Sequence, residues 1–107
     1  MKKPAGIKAY TFPFLGSEWT LLLKRLGKNA GCGEGDVVKR TITINTTYQK
    51  DMTDTILHEL QECAAVIRGY RYNNHEGIVF VMTHKEYTGL VEDCSEVYLS
   101  ICKQLKL

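Results

Sequence analysis

The chain reads DMTDTILHELQECAAVIRG over residues 51–69. Apolar residues recur in this stretch with the period of one face of an α-helix. Gly69, at its end, is a common C-terminal stop for a helix. The stretch therefore predicts an amphipathic helix that packs on a core supplied by the rest of the chain. Its predicted core-facing residues are Met52, Ile56, Leu60, Cys63 and Ile67.

A second helix is predicted from residue 84 towards the end of the chain. Residues 83–86, Thr-His-Lys-Glu, fit a capping box, in which the Thr side chain accepts from the third helical N–H and the Glu reaches back. If the apolar face of this helix packs inward, His84 in its first turn points inward too. The residues of that face are Tyr87, Val91, Cys94, Tyr98, Ile101 and Leu105.

Strands are predicted on both sides of the first helix. Residues 7–14 and 19–23 favour a hairpin around a turn at residues 15–18, although Ser17 equally suits the cap of a short helix. Residues 39–44 alternate like a half-buried strand. A β-branched and aromatic run at residues 78–82 is typical of a buried strand, whereas residues 27–35 and 70–77 are predicted loops.

Together these elements predict an α+β fold, with a three- to four-stranded sheet packed on two helices. A chain of 107 residues, 44% hydrophobic and 24% charged, has the size and composition of one globular domain, residues 1–107. Residues 1–30 are expected to form an N-terminal strand hairpin, and residues 36–107 the core that carries the site.

Charge and hydropathy exclude several partners. The net charge of +2 is too small for a dedicated nucleic-acid binder, and no apolar run reaches membrane-spanning length. Residues 1–4, Met-Lys-Lys-Pro, begin like a signal peptide, but no uninterrupted apolar segment follows, so a cytoplasmic location is expected. The four cysteines lack CxxC pairing and are expected to be reduced thiols, three of them on apolar helix faces.

The first helix carries a group of residues suited to metal chemistry. His58 and Glu62 are four residues apart, so their Cβ atoms are expected about 5–6 Å apart on one helix face. That face lies opposite the apolar one, so core packing does not account for the pair. Glu59 follows the first ligand directly, where it can hold a metal-bound water and take its proton, as in the H-E-x-x-H motif.

Catalytic zinc sites commonly use two His and one Glu, which leaves a second His to be found. Only His75 and His84 are available. His84 is favoured because it continues the predicted inward face of the second helix. His75 lies in a polar loop beside Asn73 and Asn74, where a surface role is expected.

The order of strand, HELQE helix and downstream ligand helix resembles the zincin metallopeptidases over residues 31–103. It is especially similar to the minimal zincin-like proteins of phages and prophages, some of which carry an HExxE motif with a later His. The resemblance implies a Zn²⁺ site with ligands His58, Glu62 and His84, and Glu59 as the general base. It also implies that the strand over residues 40–44 is an edge strand that aligns a peptide or protein substrate.

Two functions of different classes follow from these residues. The first is a zinc-dependent hydrolase, with a metallopeptidase as the favoured type, in the cytoplasm of a bacterial or phage-infected cell. The alternative is a non-catalytic phage or prophage module that uses the zincin fold for protein interaction or metal binding. A DNA-associated regulator has only the slight positive charge in its favour. Four tyrosines remain open as stabilisers of a reaction oxyanion: Tyr48, Tyr70, Tyr72 and Tyr87.

Overall fold

The N-terminal apolar segments form the predicted hairpin. Strands β1 (Lys8–Phe14) and β2 (Ser17–Lys24) pair antiparallel around the two-residue turn Leu15-Gly16. Both turn residues have positive φ angles, 51° and 77°, as in the type I′ turns that match the twist of a hairpin. The strand interpretation of this region is therefore confirmed, and the helical alternative is wrong.

The computed structural model describes residues 7–107, without the side chain of Asn74. Residues 1–6 of the predicted 1–30 unit, including the signal-like start, lie outside it.

The four-stranded sheet confirms the predicted α+β class and has the order β1-β2-β4-β3. Strand β4 (Thr41–Asn45) runs parallel to β2, and the pairs Leu21↔Ile42 and Leu23↔Ile44 place buried side chains side by side. Because β4 is hydrogen-bonded on both sides, the expectation that residues 40–44 form an edge strand is wrong. The two edges of the sheet are β1 and strand β3 (Gly33–Asp36), which pairs antiparallel with β4.

Strand β3 lies at the end of the segment predicted as a loop, residues 27–35. Glycines hid it from the sequence analysis, since Gly33 and Gly35 have no side chains to alternate. The loop before it is fixed by the buried side chain of Asn45. The Asn45 carboxamide oxygen accepts from the backbone N–H groups of Leu26 and Thr47, and its nitrogen donates to the carbonyls of Gly27 and Gly31. Three of these bonds tie the loop before β3 to the end of β4, and the fourth, from Thr47, is local to Asn45.

Helix α1 (Met52–Arg68) packs its apolar face on the sheet and ends at Gly69, which has a φ of 77°. Four of the five predicted core residues of this helix are buried. The fifth prediction is wrong, since Ile67 is 48% exposed and Ala64 and Ala65 hold the buried positions near the end of the helix. The core is formed by the inner faces of the sheet and the two helices: Phe12, Phe14, Trp19, Leu21, Leu23, Ile42, Ile44, Met52, Ile56, Leu60, Cys63, Ala64, Ala65, Leu90, Cys94 and Ile101.

A second, two-stranded sheet follows α1. Strands β5 (Arg71–Asn74) and β6 (Gly77–Phe80) form an antiparallel hairpin. Two predictions are corrected here: residues 70–77 are not simply a loop, and the strand predicted at residues 78–82 is not buried. Ile78 is 50% and Phe80 46% exposed, because the hairpin lies outside the four-stranded sheet and no second layer covers it.

Helix α2 (His84–Leu105) begins with the predicted capping box, in which Thr83 and Glu86 exchange hydrogen bonds. It packs along α1, and Arg68, the last residue of α1, forms an ion pair with Asp93 near the middle of α2. Within residues 7–107 no helix has both the length and the apolar character needed to cross a membrane.

Candidate metal centre on helix α1

Three side chains of α1 bring ligand atoms together at the surface of the molecule. One ligand atom each from His58, Glu59 and Glu62 lies within 4.8 Å of the others. The imidazole Nε2 of His58 is 3.2 Å from Oε2 of Glu62. The predicted pairing of residues four apart on one helix face is therefore present, and the His58 side chain is 66% exposed. Among residues 7–107 this is the only such group of three or more His, Cys, Asp or Glu residues.

The separation of His58 and Glu62 can be compared with zinc geometry. Two ligands about 2.0–2.1 Å from a tetrahedral zinc ion are about 3.3 Å apart. The observed 3.2 Å between Nε2 and Oε2 is close to that value. An ordinary N–H···O hydrogen bond across one turn of helix has a similar length. The residues present therefore fit a metal, and a metal-free ion pair as well.

Glu59 differs from its two neighbours because it is buried, with 8% of its surface exposed. Strand β3 covers it: a Cβ added to Gly35 would lie 3.5 Å from Oε1 of Glu59 and 2.5 Å from Sγ of Cys63. Burial raises the pKa of Glu59 above its ordinary value, the charge of Glu62 raises it further, and His58 partly opposes them. A raised pKa makes this carboxylate a stronger base than an ordinary surface Glu, which suits it to accept a proton.

Arg71, at the start of β5, is a site residue that the sequence analysis missed. Its Nε is 3.9 Å from Oε1 of Glu62, on the opposite side of the carboxylate from His58. That Nε atom is buried and has no hydrogen-bond partner. Arg71 follows the end of α1 by three residues and lies in a segment without strand alternation, so no sequence signal marks it as a partner of Glu62.

Two cavities flank His58. The first, about 450 Å³, lies between α1 and the start of β3, and its lining includes Cys32, Gly33 and Glu59. The second, about 400 Å³, lies between α1, the end of β6 and α2, and is mainly apolar on the side away from α1. The residues that line the second cavity are His58, Gln61, Glu62, Ala65, Phe80, Met82, Tyr87 and Leu90.

No family model, curated protein or solved structure matches the chain. Function therefore rests on the geometry and chemistry of these residues.

The two other histidines lie apart from the group on α1. His84 is the first residue of α2 and is exposed, and it is not a member of the donor group. The expectation that the first turn of α2 points inward is wrong, because the inward face of the helix begins only at Leu90. His75 is 90% exposed beside Glu76 in the turn of the hairpin. His84 as the third zinc ligand stays a prediction.

Of the four tyrosines left open, one lines a cavity together with His58 and Glu62. That residue is Tyr87, at the apolar cavity between α1 and α2. The hydroxyl of Tyr48 instead donates to the carbonyl of Lys28, on the loop before β3. Tyr70 packs against the core, and Tyr72 lies exposed on β5.

Proposed function

We propose that this protein is a zinc-dependent hydrolase that cleaves peptides. His58 and Glu62 bind the metal, His84 completes the ligand set from the start of α2, and Glu59 is the general base. The observation that supports the proposal most strongly is the 3.2 Å between Nε2 of His58 and Oε2 of Glu62, next to a buried carboxyl group one residue along the helix. A surface ion pair alone gives no reason for Glu59 to be buried beside it.

Zinc bound at this point would supply Lewis acidity and lower the pKa of a water molecule. The protein's own residues then divide the remaining tasks. Glu59 takes the proton of the attacking water at its carboxylate and returns it to the leaving amine. Arg71 neutralises the charge of Glu62 from the side away from His58. Of the four tyrosines considered as stabilisers of a reaction oxyanion, Tyr87 is assigned this task, because it lines a cavity together with His58 and Glu62.

The edge strand gives such an enzyme a place for an extended substrate. Within the described sheet, β3 is paired only with β4, so its outer backbone groups are available to a peptide that adds as a further strand. The cavity of about 450 Å³ between β3 and α1 leads from that edge to His58 and Glu59. Substrate alignment is therefore assigned to β3 and no longer to residues 40–44.

A second candidate function is a metal-binding module without catalysis. It is favoured by one observation: the donor group contains Glu59 and does not contain His84. A metal held by His58, Glu59 and Glu62 would occupy Glu59 as a ligand and leave no general base. Two carboxylates and one imidazole suit harder divalent ions such as Mn²⁺ better than zinc.

The two candidates are separated by zinc content and peptide cleavage in three variants. For the hydrolase, zinc-loaded wild type contains about one zinc per chain and cleaves a peptide library. His58→Ala and His84→Ala lose the zinc, whereas Glu59→Gln keeps the zinc and loses cleavage. For the module, Glu59→Gln loses the metal, His84→Ala keeps it, and wild type cleaves nothing. His75→Ala serves as the matched control, since that exposed histidine lies in the hairpin turn.

A wild-type protein that stays metal-free after incubation with zinc would refute the hydrolase. Folding of each variant is checked by far-UV circular dichroism, because loss of zinc counts only in a folded protein. His58 and His84 are both exposed, so their replacement by Ala is expected to leave the core intact.

A further inference from the structure

The apolar cavity beside His58 and Glu62 is large enough for a ligand, and binding of a metal by these residues does not explain it. Its volume of about 400 Å³ lies within the range of ligand pockets, roughly 300–1,000 Å³. Three separate elements build it: the middle of α1, the end of β6 with Met82 after it, and the first turns of α2. One wall is polar and the others are apolar.

Large apolar side chains are exposed in the segment that forms two walls of this cavity. Of the 11 exposed large hydrophobic residues among residues 7–107, five lie in the segment 72–87. Phe80 and Tyr87, on opposite elements of the cavity, are 46% and 52% exposed. Ile78 is on the same strand face as Phe80, because side chains alternate along β6. A concentration of exposed apolar surface next to a concave site indicates a binding surface.

The distribution of polar atoms indicates what the cavity binds. His58, Gln61 and Glu62 form the wall on α1, and the facing residues Phe80, Met82 and Tyr87 form the apolar one. A complementary ligand has a bulky apolar part and a polar part that is directed towards His58 and Glu62. A peptide residue with a large apolar side chain has this form, since its side chain is apolar and its backbone is polar.

We propose that the cavity binds a bulky apolar side chain of a peptide next to the bond that is cleaved, and that Phe80 and Tyr87 determine this specificity. The reference to a cleaved bond rests on the hydrolase proposed above. The binding itself does not require the metal, because the apolar wall contains no ligand of the metal.

Binding is tested by NMR titration of the ¹⁵N-labelled protein with N-acetylphenylalaninamide, and with N-acetylglycinamide as the matched probe. Each titration is run twice, with zinc and with a chelator. We expect the phenylalanine probe to shift the amide signals of residues lining the cavity in both conditions. It should bind at least tenfold more tightly than the glycine probe, because only its ring leaves water.

The double variant Phe80→Ala/Tyr87→Ala should lose this preference at least tenfold, whereas Leu99→Ala should keep it. Leu99 is 66% exposed on α2 and does not line the cavity. Equal binding of the two probes, or shifts mapped elsewhere, would overturn the proposal. Cavity signals that move with protein concentration in the absence of probe would overturn it too, because a second copy would then be the occupant. Failure to bind zinc leaves the chelator titration informative, so the two proposals fail separately.

Discussion

The two sides of α1, one facing β3 and the other facing the β5–β6 hairpin, differ in how closely their neighbours approach the group His58, Glu59 and Glu62. On the β3 side the contact is tight: a Cβ at Gly33 would lie 2.7 Å from the Thr55 side chain, and one at Gly35 would lie 2.5 Å from Sγ of Cys63. On the hairpin side a cavity of about 400 Å³ separates α1 from Phe80 and from α2. The close backbone contacts at Gly33 and Gly35 hold Glu59 on the β3 side, next to the cavity of about 450 Å³ at Cys32 and His58, whereas the cavity on the hairpin side is mainly apolar and leaves room for a bulky ligand. His58 and Glu62 lie between a rigid support and a binding space.

Apart from the core control Leu90→Ala described below, the largest effect on stability is expected where a side chain is added to the contact between β3 and α1. Gly35→Ala should lower the free energy of unfolding by about 2 kcal/mol, because the buried Cys63 thiol cannot move into solvent and the strand must shift. Gly31→Ala is the matched control, since an added Cβ there meets nothing within 4 Å. Urea denaturation measures both. Equal stability of the two variants would show that β3 does not pack tightly on α1.

Arg71 connects the hairpin side of α1 to the metal group. Arg71→Met keeps the length of the side chain but removes the guanidinium near Oε1 of Glu62, and zinc affinity should fall about tenfold as the carboxylate loses its orientation. Competition with a zinc-sensitive dye measures the affinity. Arg68→Met, which removes the ion pair with Asp93 and the hydrogen bond with Tyr70 but no contact with Glu62, should bind zinc like wild type. A rise in affinity in Arg71→Met would show that charge repulsion between the guanidinium and the metal dominates.

A smaller effect, this time a gain in stability, is expected when Glu59 is replaced. Its folded pKa is raised above the ordinary 4.5, so the charged form destabilises the fold above that folded pKa, and the cost disappears below about 4.5. In chelator at pH 7.5, Glu59→Gln should therefore raise the free energy of unfolding by about 1 kcal/mol. At pH 3.5 the gain should vanish. Exposed Glu92→Gln, on α2, should change stability at neither pH; a pH-independent gain at residue 59 would assign the effect to packing.

The smallest effect on stability is expected on the hairpin side. Tyr87→Ala should change the free energy of unfolding by no more than about 0.5 kcal/mol, because the side chain is 52% exposed. Leu90→Ala, one turn further along α2 and buried, should cost about 2–4 kcal/mol. Thermal denaturation followed by circular dichroism compares the two. A large loss in Tyr87→Ala would mean that Tyr87, like the buried cavity residue Leu90, is part of the core.

The sequence predicts those elements whose side chains repeat with a clear period. The helices α1 and α2, the capping box at Thr83, and the pair Ile42 and Ile44 all follow from local patterns. Strand β3 was missed because two of its four residues are glycines, and β5 because Arg-Tyr-Asn-Asn has no alternation. Which strand forms the edge is a matter of topology, and chain order does not encode it.

The candidate site is predicted in part for the same reason. His58 and Glu62 meet because four residues make about one turn of helix, a local property. The burial of Glu59 depends on β3, and the approach of Arg71 to Glu62 depends on the path of the chain after α1. Neither feature could therefore be predicted from local sequence patterns. His84 was placed by extending the periodicity of α2 back to its first turn, where no neighbouring element remains to bury it.

The central claim is that His58 and Glu62 bind zinc through nitrogen and oxygen. X-ray absorption at the zinc edge of the zinc-loaded protein tests it directly. We expect only nitrogen and oxygen ligands at about 2.0–2.1 Å, and loss of the bound zinc in His58→Ala. A sulfur ligand at about 2.3 Å would contradict the claim, because it would assign the metal to a cysteine such as Cys32. An unchanged spectrum in His58→Ala would contradict it equally.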